Sequence, residues 1–309
     1  MKLNNKEKNL DANLLEQSIY QNTYTAYAPW SPSIGFKVHT MRFQEQATNS
    51  HLAQDFLANL GFTRNDMESE YSIRSFLEPT GTMMLSFSHQ EDNKHLEKVP
   101  LPASVPLKMA LDTVMKSRRS IRQYTGDKVL LVYLATILRS ASGITASNEV
   151  DLNNGSSTTL NFRSSASAGG IYPVDLYILA LNVEKLDRAI YQYNPADDCL
   201  VKLYRQEVVE SLLKTFSTTE DQISIKRAGF ICLLIGSASK SMHKYGHQGL
   251  SFSLQEIGSI SQNIHLSVTA LGMGSVDCAS FYLNEAHHAL NMDGIYQHLF
   301  HTIIIGINQ

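Results

Sequence analysis

Cysteine is scarce in this 309-residue chain: there are three, Cys199, Cys232 and Cys278. Far apart and odd in number, they argue against a disulfide framework and against a C-x-x-C metal or redox pair, so any redox chemistry must come from a cofactor. Long apolar runs are also lacking. Nothing approaches the roughly 18 uninterrupted apolar residues of a membrane span. The opening MKLNNKEKNLDANLL contains no apolar stretch of a secretory signal, so no membrane and a cytoplasmic location are expected. A large excess of charge of either sign is missing as well. With a net charge of −3 and no basic run longer than residues 116–122, KSRRSIR, the chain carries no nucleic-acid footprint. It has no internal repeat, P-loop or H-E-x-x-H motif. His287 and His288, near Glu285, are adjacent and would not face one site on a helix, so no metal is expected.

What is present is the composition of a globular protein, 43% hydrophobic and 18% charged. Residues 1–105 read as an N-terminal extension, with a short helix around Leu52, Phe56, Leu57 and Leu60 stopped by Gly61 and a boundary at 99–102. Residues 106–309 read as the main domain. Leu107, Leu111, Val114 and Met115 recur at helical spacing, and Leu130, Leu134, Ile137, Leu138 and Ala141 line a second helix closed by Gly143. Residues 145–168, rich in Ser, Asn and Thr, are expected to form an active-site loop. Strands are predicted at 174–181, at 189–204 as a hairpin turning through Asn194 and Pro195, at 230–235 and at 302–307. The longest periodic segment, 250–271, places Leu254, Ile257, Ile264, Val268 and Leu271 on one side and predicts a central helix, and a last helix is expected at 284–290. The expected fold is α+β, a central helix with few, short strands.

Four segments could carry chemistry. If 118–122 is extended, Arg118, Ser120 and Arg122 point the same way, and two guanidinium forks flanking a hydroxyl suit a phosphate dianion. A solvated basic helix end explains the same residues. Small residues and paired glycines in Ser167-Ala168-Gly169-Gly170-Ile171-Tyr172-Pro173 let backbone N–H groups approach a flat or anionic ligand, although an ordinary glycine turn reads the same way. Lys244-Tyr245 could be a general base or proton relay, or an exposed pair. The segment Leu271-Gly-Met-Gly-Ser-Val-Asp-Cys278-Ala279-Ser-Phe281 follows a helix rather than a strand and lacks the third glycine of a dinucleotide fingerprint.

In their order and spacing these segments resemble the nitroreductase-like flavoproteins, and within them the SagB/McbC-type azoline dehydrogenases, from about 107 to 307. The resemblance implies a nitroreductase-like fold with a small mixed sheet, the cofactor FMN and a homodimer built on the long helix that includes Gly258 and Asn263. It implies phosphate roles for Arg118, Ser120 and Arg122. It implies flavin contacts for Ser167, Ala168, Gly169 and Gly170, and for Cys278 and Ala279, with the Ala279 N–H meeting the reactive N5. Lys244 and Tyr245 match the pair that abstracts a proton in the azoline dehydrogenases. Where related sequences often read Lys-Tyr-x-x-Arg-Gly-Tyr-Arg, this chain has Lys244-Tyr-Gly-His-Gln248-Gly249-Leu250-Ser251. The implied activity is oxidation of thiazoline or oxazoline rings on a peptide or carrier protein, within a cyclodehydratase or synthetase complex that the extension could dock. An NAD(P)H-dependent nitro or quinone reductase of the same fold and a non-catalytic FMN-binding scaffold are the alternatives.

Overall fold

The computed structural model describes residues 95–309, apart from 152–154 and 156, together with the isolated positions 56, 57 and 73. Of the helix expected around Leu52, Phe56 and Leu57 are helical, and Leu52, Leu60 and Gly61 lie outside the described residues. The chain divides into two compact units, Met1–Asn65 and Asp66–Gln309, and the sheet and its helices belong to the second.

Alternation of apolar side chains builds the sheet. In β4 (Val174–Ala180), Leu176, Ile178 and Ala180 enter one core while Tyr177 and Leu179 enter the other. In β7 (Phe230–Gly236), Phe230, Cys232 and Leu234 face the first core and Ile231, Leu233 and Ile235 the second, which is why its sequence is an uninterrupted apolar run. These two strands pair at the centre of a seven-stranded sheet, order β1-β6-β5-β4-β7-β9-β8. The others are β1 (Lys98–Pro100), β5 (Ile190–Asn194), β6 (Cys199–Tyr204), β8 (Gly274–Asp277) and β9 (His298–Gly306). Every neighbouring pair is antiparallel.

Helices cover both faces. On one side lie α2 (Leu131–Ser142) and the central helix α5 (Gln248–Ala270), which buries Ile257, Ile260, Ile264 and Val268 against the sheet. On the other lie α3 (Gln206–Leu213) and α6 (Leu283–Ala289), through Val209, Leu212 and Ala286. Two further helices are α1 (Leu111–Ser117) and α4 (Ala238–Tyr245). The α+β architecture around a central helix is the one expected from the sequence, with a seven-stranded main sheet in place of the few, short strands expected.

Local features differ from expectation: Leu107 precedes α1, and Leu254 is exposed while Ile257, Ile264 and Val268 of the expected α5 stripe are buried. The segment expected as an active-site loop is largely a separate hairpin, β2 (Ile144–Asp151) with β3 (Ser157–Arg163). Most of its side chains are exposed on both faces, so it lacks the apolar alternation that marks a half-buried strand. The stretch taken as a boundary overlaps β1, which pairs with β6, and Pro100 is tolerated because β1 is an edge strand. Short α3, α4 and β8 were not anticipated, since seven or eight residues or fewer give little periodicity to read.

Candidate active site

Backbone conformation defines the first part of the site. Gly169 and Gly170 have φ of 61° and 67°, and Tyr172 follows at 51°, a value uncommon for a side chain with a Cβ. Its neighbours hold it there. The Tyr172 N–H donates to Ser167 Oγ at 2.9 Å, its hydroxyl accepts from the Arg163 N–H at 2.8 Å, and the Arg163 guanidinium lies 4.9 Å from its ring centroid. A Cβ on Gly169 would stand 2.5 Å from the Tyr245 hydroxyl and 2.8 Å from Lys244 Nζ. The ends of both candidate catalytic side chains therefore rest on the glycine turn.

That meeting depends on where α4 ends. Lys244 and Tyr245 are its last residues, and Gly246, at φ 55°, breaks the helix. Gly249 in the first turn of α5 lets the two helices touch, since a Cβ there would lie 2.5 Å from Met242 N. The segment that departs from the Arg-Gly-Tyr-Arg pattern is this junction. Both side chains are half-buried; the edge of the Tyr245–Phe252 ring pair, with centroids 5.0 Å apart, and the Lys244 ammonium 5.2 Å from the Tyr245 centroid stiffen the pair.

The arginine segment is built differently. Arg119 donates to the carbonyls of Lys116 and Arg118 at 3.0 and 2.7 Å, closing the end of α1. Beyond it the chain runs beside β8: the Ile121 N–H donates to Ser275 O at 2.9 Å, and Ser120 bridges Ser275 in parallel. Tyr124, fully buried, anchors the far end by placing its hydroxyl between the carbonyls of Ile121 and Ile304. Arg118, half-buried, and Ser120 and Arg122, exposed, have no side-chain hydrogen bond or ion pair among the described residues. Two unneutralised guanidiniums beside a hydroxyl can hold an anion.

After β8 the Cys278 N–H donates to Thr302 O at 2.9 Å. Cys278 is 3% exposed, and burial pushes its thiol up, so it packs rather than reacts. Ala279 is exposed, and its N–H has no partner among the described residues.

Two polar groups on the buried face of α5 escaped sequence reasoning. His265 places Nδ1 2.7 Å from Ser275 Oγ and Nε2 2.9 Å from Asp277 Oδ2. Asp277 also meets His301 Nε2 at 2.7 Å and accepts from Ser261 Oγ at 3.0 Å. Partial burial would raise Asp277, but the hydrogen bonds from His265 and His301 outweigh it and hold the carboxyl well below the usual range. Glu256 is 2% exposed, and burial pushes it up to about 7, opposed by the nearby Ser167 hydroxyl, Arg163 guanidinium and Val174 backbone. Neither carboxylate oxygen attains full hydrogen-bond geometry with these neighbours. The signal available was a charged residue inside the apolar stripe of a helix, Glu256 beside Ile257 and Ile260.

Residues 115–307 match the nitroreductase family, well over half of the chain, and the chain belongs to that family of oxidoreductases. A Methanocaldococcus jannaschii protein named as a nitroreductase is 28% identical over 182 residues, 59% of this chain and 84% of its own length. A nitroreductase-type structure from Ralstonia eutropha superposes with a TM-score of 0.54 at 19% identity, covering 69% of this chain and 90% of that one. A chain of the E. coli microcin synthetase McbBCD complex, solved with truncated pro-MccB17 bound, superposes with a TM-score of 0.51 at 19% identity, covering 84% and 92%. At these identities the solved structures speak for the fold.

Proposed function

We propose that the protein is an FMN-dependent dehydrogenase that oxidises azoline rings, thiazolines or oxazolines, to azoles on a peptide or carrier-bound precursor. The observation that supports this reading is the seating of Lys244 Nζ and the Tyr245 hydroxyl on Gly169, which would put the proposed proton acceptor at the glycine turn. Arg118, Ser120 and Arg122 would hold the FMN phosphate. Ser167, Ala168, Gly169 and Gly170 would lie against the ring system, where Gly170 leaves open space beside its Cα. Cys278 and Ala279 would close the site, with the Ala279 N–H, unpartnered among the described residues, as a donor toward the cofactor. The residues present fit the group.

When bound, FMN would supply the two-electron acceptor for the oxidation. Lys244 or Tyr245 takes the α-proton, so the ring loses one proton and one hydride and becomes aromatic. The turn and α4 fix the base beside the substrate, which is a positioning task. Likeness to a synthetase complex solved with a peptide supports a peptide substrate and a synthetase or cyclodehydratase partner, for which residues 1–105 are the proposed docking segment. A homodimer would use the stripe of α5 on which Leu254, Gly258 and Gln262 are exposed.

The test begins with the visible spectrum of the purified protein, for which flavin bands and about one FMN per chain are expected. Lys244→Ala should then stay yellow and slow azole formation by about 10²–10⁴-fold. Unchanged turnover on an azoline peptide removes Lys244 from the mechanism. Rapid NADH consumption with nitroaromatic or quinone acceptors would mark a reductase, and bound FMN without turnover in the assembled complex would mark a scaffold.

A further inference from the structure

We propose that His265 is a positioning residue whose buried imidazole fixes the two cofactor-facing segments, 118–122 and 278–279, relative to each other through β8. The cofactor role of those segments rests on the reading above; the coupling between them rests on the hydrogen bonds.

Residues 275 and 277 are two apart on a strand, so their side chains leave the same face and one ring can span both. His265, 4% exposed on α5, does so, at 2.7 Å to Ser275 Oγ and 2.9 Å to Asp277 Oδ2. Ser275 is the residue whose carbonyl accepts the Ile121 N–H at 2.9 Å and which bridges Ser120. Asp277 directly precedes Cys278 and Ala279 and is tied to β9 by His301 at 2.7 Å. Each end of the imidazole thus grips a residue bonded or adjacent to one cofactor-facing segment. A carboxylate only accepts, so Nε2 is the donor to Asp277, while Nδ1 meets a Ser275 hydroxyl that can either donate or accept.

Two measurements on the full-length protein test this. The first needs no cofactor: amide hydrogen exchange at Ile121 and at Cys278 in His265→Leu and, as a variant that deletes only one hydroxyl, Ser275→Ala. Exchange should rise together at both amides in His265→Leu, with amides of β4 and β7 unchanged, and should rise at Ile121 in Ser275→Ala. Exchange that rises at neither amide, or at one alone in His265→Leu, overturns the proposal. The second is FMN affinity of the apoprotein by fluorescence titration. His265→Leu should weaken binding about tenfold or more, and His265→Gln, which can still donate and accept, should recover part of it. Wild-type affinity in His265→Leu with a lowered melting temperature would reduce His265 to a packing residue. A wild-type protein that does not bind FMN refutes the cofactor reading and leaves the exchange result to decide the coupling.

Discussion

At the scale of single residues, the site depends on an absent side chain. Gly169 is the place where α4 and the 168–170 turn meet, and a methyl group there has two separable effects. At φ 61° an alanine is strained, which costs about 1–2 kcal/mol and lowers the melting temperature by a few degrees. It also displaces the Lys244 and Tyr245 ends that now lie 2.8 and 2.5 Å from the position it would occupy. A base moved by about 1 Å loses on the order of 10²-fold in rate. Gly169→Ala is therefore expected to remain folded and to lose far more turnover than stability, read by azole formation beside a thermal melt. A variant with near-normal turnover would show that the pair does not work from this seat.

Among elements, the junction of α4 with α5 sets where Lys244 and Tyr245 stand. Gly249 brings the helices so close that an added Cβ would meet Met242 N and Ser241 C at 2.5 Å, both of them backbone atoms that no rotamer change can move. Gly249→Ala should destabilise by about 1–3 kcal/mol, as overpacking does, and should shift α4 with its two catalytic candidates. Urea unfolding and turnover of the same variant check both halves; a stability within error of wild type would mean that the helices separate at no cost. The segment 248–251, which departs from the related pattern, lies at this junction. It joins the helix that ends in Lys244 and Tyr245, the proposed base, to the helix that carries Glu256 and His265.

The whole molecule feels the two carboxyls associated with α5 in opposite directions. Glu256 has a folded value of about 7 against an ordinary 4.5, so the folded state binds the extra proton between these limits. Its favourable contribution is complete below about pH 4.5, declines as pH rises by at most about 1.4 kcal/mol per pH unit, and is gone above about 7. Asp277 lies on the other side of its ordinary value of 3.8, so what it contributes is present above that pH and lost as the solution is acidified below it. Glu256→Gln, which keeps the shape of the neutral acid, should flatten the fall in stability between pH 5 and 7 and exceed the wild type at pH 8. Denaturant titrations of both proteins across this range decide it; parallel curves would mean that Glu256 does not ionise in the window.

Sequence by itself determined the frame. The apolar run of β7, the alternation of β4 and the stripe Ile257, Ile264 and Val268 each state a local period, and a local period fixes an element and its buried face. The motif Ser167–Pro173 was legible for the same reason, because its glycines answer to a backbone need at that spot. Tertiary structure decided which parts meet. Nothing local in Lys244 or Tyr245 says that they end on Gly169, and nothing in His265 says that it grips Ser275 and Asp277, because those contacts are set by how α4, α5 and β8 pack. The hairpin 144–163 escaped for the opposite reason: exposed on both faces, its strands are held by backbone pairing, which leaves no apolar period to read.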